Sequence, residues 1–230
     1  MSFNPPPKSR LLPVVDPCIP LQLDDFIEPG HALEVEIGCG KGRFLTARAS
    51  QNRDTRYLGI ERMLTRVRKL EKKADRLALD NIRILRLEAF YSFYYLLPRH
   101  RIRTVYVFFP DPWPKRHHHG RRLFSPLFLD ALWTRLEIGG TLQLATDHSE
   151  YFQTAHATLL ADRRFHEIPA MQRTEHEETE FEHIFRKQDL PIWQCAFQTL
   201  PATEITLTPL TINAELEPRA DRLPHIPTAS

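Results

Sequence analysis

The chain is short of cysteine, of glycine and of any long apolar run. Its 230 residues carry three cysteines, Cys18, Cys39 and Cys195. An odd number of widely spaced thiols excludes a disulfide scaffold and a cysteine-rich zinc site, and it suits a reducing cytosol. No stretch approaches the roughly 18 apolar residues that span a bilayer, so a membrane protein is not expected. The start, MSFNPPPKSRLLP, has no apolar signal-peptide core, which argues against export and for a cytoplasmic location. An excess of one charge sign is also missing: 31 basic against 29 acidic residues leave a net charge of +2. Binding to nucleic acid must therefore be argued from where the charge sits. The length and an apolar fraction of 42% suit one globular domain, with or without tails.

Proline is plentiful and unevenly spread. Seven of the 19 prolines fall in the first 29 residues and five in the last 30. Proline fixes φ and removes a backbone donor. Residues 1–30 therefore read as an extended arm and 201–230 as a polar tail, flanking a domain over 31–200. Within the tail, TEITLTPLTI has the composition of an edge strand.

The domain alternates strand and helix patterns. Strands are expected at 33–37, 57–60, 82–87, 104–109 and 141–145, with helices at 41–50, 62–78, 90–97, 127–136 and 149–160. Three closing strands are expected at 165–168, 184–186 and 193–199. Repeated strand–helix–strand units give an α/β fold with a doubly wound, mostly parallel sheet. Ligands of such sheets bind at the carboxyl ends of the strands.

Five strand ends carry polar residues. The first is Glu36-Ile-Gly38-Cys-Gly40-Lys-Gly42. Alternate glycines let the backbone turn sharply and approach a ligand. The third glycine comes one residue too early for the dinucleotide fingerprint, and no Walker lysine follows. Glu36 would repel a pyrophosphate but attract a cation. A plain strand-to-helix turn is the alternative. The second is Glu61, placed to accept from ribose hydroxyls or to sit in solvent. The third is Glu88, an adenine contact or a helix cap. Together the three describe a pocket for a cationic nucleoside without phosphate, which S-adenosylmethionine fits.

The fourth is Pro110-Asp111-Pro112-Trp113-Pro114-Lys115-Arg116-His117-His118-His119-Gly120-Arg121-Arg122. Two prolines fix the backbone around Asp111, and the following cations suit phosphate oxygens, with a solvated basic loop as the alternative. Consecutive histidines point in different directions, so no metal is expected. The fifth is Thr146-Asp147, which with Thr179-Glu180-Phe181-Glu182 could form a polar site for a base; a helix N-cap at Asp147 and an acidic loop over 175–182 are the alternatives.

In order and wording, these motifs resemble the bacterial tRNA (guanine-N7-)-methyltransferase family over about residues 31–195. The resemblance implies a seven-stranded, Rossmann-like class I methyltransferase. It implies methyl transfer from S-adenosylmethionine to N7 of a guanine in the tRNA variable loop. It makes Glu36, Gly38, Gly40, Glu61, Glu88 and Asp111 cofactor-binding residues, with Asp111 also catalytic. It makes Lys115, Asp147, Thr179, Glu180, Phe181 and Glu182 substrate-binding. Arg116, His117, His118, His119, Arg121 and Arg122 would contact RNA. The expected partner is tRNA, with no membrane and no metal, for a monomer or homodimer. Glu88 stands where the family more often has Asp or Asn, and His183-Ile184 where Arg-Gly is usual. Two other readings remain: a methyltransferase for another nitrogen, and an inactive RNA-binding protein on a methyltransferase fold.

Overall fold

The computed structural model describes residues 9–14, 16, 19–21, 23, 26–28 and 30–201; of Arg116, His119 and Arg121 only the backbone is described. The candidate edge strand at 203–212 and Cys18 lie outside the described residues.

Seven strands form one sheet: β1 Leu33–Ile37, β2 Arg56–Ile60, β3 Ile82–Leu85, β4 Ile102–Phe108, β5 Leu136–Thr146, β6 Phe165–Ile168 and β7 Trp193–Thr199. Their order is β3-β2-β1-β4-β5-β7-β6. β7 runs antiparallel to both neighbours, and the other pairings are parallel. The helices are α1 Arg43–Gln51, α2 Leu64–Arg76, α3 Ala89–Tyr91 (continued by a π-helical turn, Ser92–Leu96), α4 Pro126–Arg135, α5 Ser149–Ala161 and α6 Glu180–Lys187.

Strand order reverses between β1 and β4, which leaves a crevice at their carboxyl ends. Register sets what meets there. Ile37 lies beside Ile60 on one side and Val107 on the other. The segments leaving β1, β2 and β4 therefore emerge side by side. These carry the glycine run, Glu61 and the Pro-Asp-Pro-Trp stretch.

Alternation along β1 splits the core in two. Leu33, Val35 and Ile37 pack with Phe93, Phe128, Leu132 and Leu159. Glu34 and Glu36 point to the opposite face, under α1. Phe44 of α1 anchors that face edge-on to Tyr106 and Phe108, with centroids 4.8 and 4.9 Å away. Burying a side chain of this size is worth about 1.5–3 kcal/mol. Gly42 begins α1 at φ 74°, and a Cβ there would lie 2.2 Å from Leu70 of α2. The early third glycine thus serves close packing of helix on helix.

Three expectations are corrected. Residues 184–186 belong to α6, not to a strand. Thr179 caps this helix by accepting from the Glu182 amide at 3.0 Å. Arg186 then returns to Glu182 at i,i+4, 2.9 Å away. The second correction is at the N-terminal segment read as an extended arm, whose described residues pack on the domain. Leu12 donates to Ile84 and Ile84 to Arg10, at the β3 edge. Leu23, Phe26 and Ile27 are buried in the main core. Third, β5 begins at Leu136 and not at 141, with a register break beside Gly139 at φ 77°.

Candidate active site at the carboxyl edge of the sheet

The glycine run turns through left-handed backbone at Gly38 (φ 71°) and Gly40 (φ 55°), where a side chain would be strained. Behind it lies Glu36, 3% exposed, with Oε2 lacking any hydrogen-bond partner. Burial pushes its carboxyl up to about 8; the Leu45 amide works against this, and the charge of Glu61 adds to it. A buried acid with an unsatisfied oxygen is costly. A cation delivered to the glycine turn would relieve that cost by favouring the ionised form.

Glu61 is also buried and serves the turn directly. Its carboxylate accepts from the amides of Gly40 at 3.1 Å and Met63 at 2.8 Å, with Arg66 at 3.7 Å. It therefore faces the glycine run as expected, and lone pairs remain for a hydroxyl. Glu88 is exposed and caps α3, accepting from the Tyr91 amide at 2.8 Å. One of its oxygens is engaged as a helix cap, the alternative considered from sequence.

The stretch after β4 is held in an unusual conformation. Phe109 (φ 54°) and Trp113 (φ 43°) are both left-handed, and they bracket Pro110-Asp111-Pro112. Each such residue costs of order 1–3 kcal/mol and persists only where its surroundings over-determine it. Here three contacts do so. The Phe109 amide donates to Ala145 at 2.7 Å. Its ring packs on Phe185 of α6 at 5.5 Å. Arg122 donates from Nε to the Pro112 carbonyl at 3.0 Å. Asp111 is exposed, and among the described residues its carboxylate accepts no hydrogen bond.

Arg122 corrects a sequence expectation. It turns inward and is 9% exposed. Its guanidinium meets Glu150 at 3.1 Å and lies over the ring of Tyr151. It clamps the Asp111 loop to α5, so it is not free to hold a phosphate. Lys115 and His117 remain exposed, and His118 lies edge-on to Trp113, 5.6 Å between centroids.

The 179–182 segment splits by role. Thr179 is the helix cap already described. Glu182 is fully buried and takes both oxygens to Arg173, at 2.7 and 2.9 Å. Burial alone would raise its pKa, but Arg173 and Arg186 hold it below the usual carboxylate range. Glu180 pairs with Lys41 of the glycine turn at 2.9 Å. Phe181 is half exposed and faces Phe109 across 6.5 Å. α6 thus bridges the glycine turn and the Asp111 loop. His183 adds to the bridge, between Arg43 at 3.4 Å and Glu178 at 3.0 Å. Asp147 is exposed just beyond β5.

Sequence reasoning missed the polar layer under α1. Glu34 accepts from Tyr106 at 2.7 Å and is joined by Arg103 and Arg48. Arg48 passes on to Glu177 at 3.1 Å. No signal in the pattern LEVEI distinguishes a buried acid from one in solvent.

Comparison with known proteins fits this arrangement. The family profile described as "Putative methyltransferase" matches residues 31–195. A tRNA (guanine-N(7)-)-methyltransferase of Nitrosococcus oceani is 34% identical over 167 residues, 72% of this chain and 70% of that protein. The chain belongs to the tRNA (guanine-N7-)-methyltransferase family. Its relative in Mycoplasma genitalium is 34% identical, over 70% of this chain and 80% of the relative. A Halorhodospira halophila member is 41% identical over 145 residues, 63% of each chain. The chain thus spans less than two thirds of the length of some members it matches. Among solved structures, the 16S rRNA methyltransferase KamB superposes with a TM-score of 0.58 at 15% identity, over 78% of this chain and 92% of its own. That likeness shows a fold shared with class I methyltransferases. Among the described residues no helix is long and apolar enough to cross a membrane, and no group of three or more potential metal ligands is found.

Proposed function

We propose that the protein transfers a methyl group from S-adenosylmethionine to N7 of a guanine in the variable loop of tRNA. The observation that carries this reading is Glu36. A buried carboxyl with an unpartnered oxygen, wrapped by a turn of left-handed glycines, is built for a cationic ligand and against a phosphate. The names borne by the chain's relatives supply the substrate. S-adenosylmethionine fits the residues present, and when bound it supplies a methyl group that N7 takes while the sulfur keeps the bonding electron pair.

The protein's part is placement. Guanine N7 has a lone pair and no proton, so no base is needed before attack. Glu36 and the Gly38–Gly40 turn hold the cationic amino acid end, and Glu61 takes ribose hydroxyls. Glu88 lies at the adenine end. Asp111 stands on a rigid loop at the rim, where it orients the guanine edge. It also stabilises the positive charge that the base gains. Holding the reactants in line lowers the barrier by several kcal/mol, up to roughly 7–11 in the best intramolecular cases. Lys115, Asp147, Glu180 and Phe181 would meet the substrate. Thr179 and Glu182 support it from behind.

Incubating the protein with unmodified tRNA and methyl-labelled S-adenosylmethionine, then cleaving at 7-methylguanosine, tests this. One cut in the variable loop is expected. Label on another nitrogen would assign a different methyltransferase. Tight tRNA binding without cofactor binding or label would assign an inactive RNA-binding protein.

A further inference from the structure

We propose that α2 carries a second track for RNA backbone, distinct from the site that receives the reacting guanine. This inference rests on the reading of tRNA as substrate. Arg62, Arg66, Lys69, Lys73 and Arg76 recur at spacings of three and four, so they lie on one stripe, with Arg62 just ahead of the helix. The buried residues Val67, Leu70 and Ala74 occupy the adjoining side. At 1.5 Å per residue the stripe is about 21 Å long. It starts next to Glu61, at the ligand edge of the sheet, and runs away from it.

The stripe is not neutralised. Arg66 reaches Glu61, but among the described residues no acid lies within ion-pair distance of Arg62, Lys69, Lys73 or Arg76. Like charges three and four apart destabilise a helix. The acids of α2, Glu71 and Asp75, sit on another side, where Asp75 pairs with Arg10 at 2.8 Å. Charge is thus sorted around the helix: a mixed side near Arg68 and Lys72, and a purely basic one.

The neighbouring helix extends the basic side. An open groove of about 510 Å³ separates α2 from α1 and α6, lined by Arg43, Thr46, Ser50, Lys73, His176 and Glu180. Burial, then the nearby Arg43, lowers the pKa of Lys73, and the more distant charges of Glu180 and Glu36 offset this only in part. Glu180, the acid in the groove, is already paired with Lys41. A row of cations, with Arg62, Lys69 and Arg76 exposed and Arg66 and Lys73 partly so, beside a basic groove fits a polyanion of regular charge spacing. Each phosphate neutralised releases counterions, so such a track strengthens binding and steepens its salt dependence. β2 and β4 are separated by β1, which places the head of the track about 10 Å from β4, the strand that leads into the Asp111 loop. One bound RNA can reach both.

The test compares K69Q/K73Q/R76Q with R68Q/K72Q on the mixed side, using the full chain and a deacylated tRNA. The stripe variant should bind tRNA at least tenfold more weakly at 150 mM salt. Its slope of log affinity against log salt should fall by about 2, close to 0.7–0.9 per contact removed. R68Q/K72Q should change the slope by less than 1. Binding of S-adenosylhomocysteine, measured in parallel, reports on folding. Equal slopes for wild type and the stripe variant would overturn the proposal. So would loss of binding to anionic phosphatidylserine vesicles with tRNA binding intact, which would make the stripe a membrane contact. If wild type binds tRNA but transfers no methyl group, the function assigned above fails while the slope comparison still decides the track.

Discussion

Asp111→Ala should lower turnover by roughly 10²–10³-fold, the usual cost of removing one placed charge-stabilising group. Affinity for tRNA should change by no more than about 3-fold, because the interaction matters chiefly in the transition state. The structure gives both halves of this expectation. The carboxylate is exposed and accepts no hydrogen bond among the described residues, so its loss removes no support from the fold. Yet the backbone beneath it is held in left-handed conformations at Phe109 and Trp113, an arrangement that fixes where the carboxylate stands. Single-turnover rates and tRNA titrations on the same variant separate the two quantities. A parallel fall in affinity and rate would make Asp111 a simple binding group. Arg122→Ala bears on the same loop: freeing Pro112 should reduce kcat with the salt slope of tRNA binding unchanged. A shallower slope would return Arg122 to the RNA interface.

A second large effect is expected at Glu182. Glu182→Ala leaves Arg173 buried, 2% exposed, over the Phe108 ring with, among the described residues, only Gln194 at 3.4 Å as a remaining hydrogen-bond partner. Breaking a buried pair by removing one member costs about 3–5 kcal/mol, because the other charge is stranded. For a domain of this size that corresponds to a fall in Tm of roughly 6–20 °C. Thr179→Ala, which removes only a helix cap, should cost about 1 kcal/mol. Thermal melts of both variants check the ranking. A Glu182→Ala protein that melts with wild type but binds tRNA poorly would restore Glu182 to the substrate surface.

The sheet was legible because its strands are short apolar runs separated by helical periods. β1 and β7 are found where the pattern puts them, and β4 within two residues. Elements governed by side-chain partners were not legible. Residues 184–186 have strand-like composition, and what makes them helical is a cap at Thr179 and a buried ion pair at Glu182. The candidate site divides in the same way. Glycines and prolines act through the backbone, so their positions at strand ends already marked the two turns. Charged residues act through distant partners. Arg121 and Arg122 are adjacent in a basic run, yet Arg122 is drawn inward by Glu150 and Pro112, and no local pattern announces that. Glu34 and Glu36 differ likewise: both are buried on the same side of β1, but Glu34 is joined by Tyr106 and arginines while Glu36 keeps a free oxygen.

That free oxygen allows a direct test. With its carboxyl pushed up to about 8, Glu36 holds a proton at pH 7 in the unliganded protein. A cation placed in the glycine turn must displace that proton. Calorimetric titration with S-adenosylmethionine, at pH 7 in buffers of different ionisation enthalpy, should therefore show close to one more proton released by wild type than by Glu36→Gln. The difference should fade as pH rises past 8. Tight binding with the same proton balance in both proteins would mean that the cofactor's charge lies elsewhere.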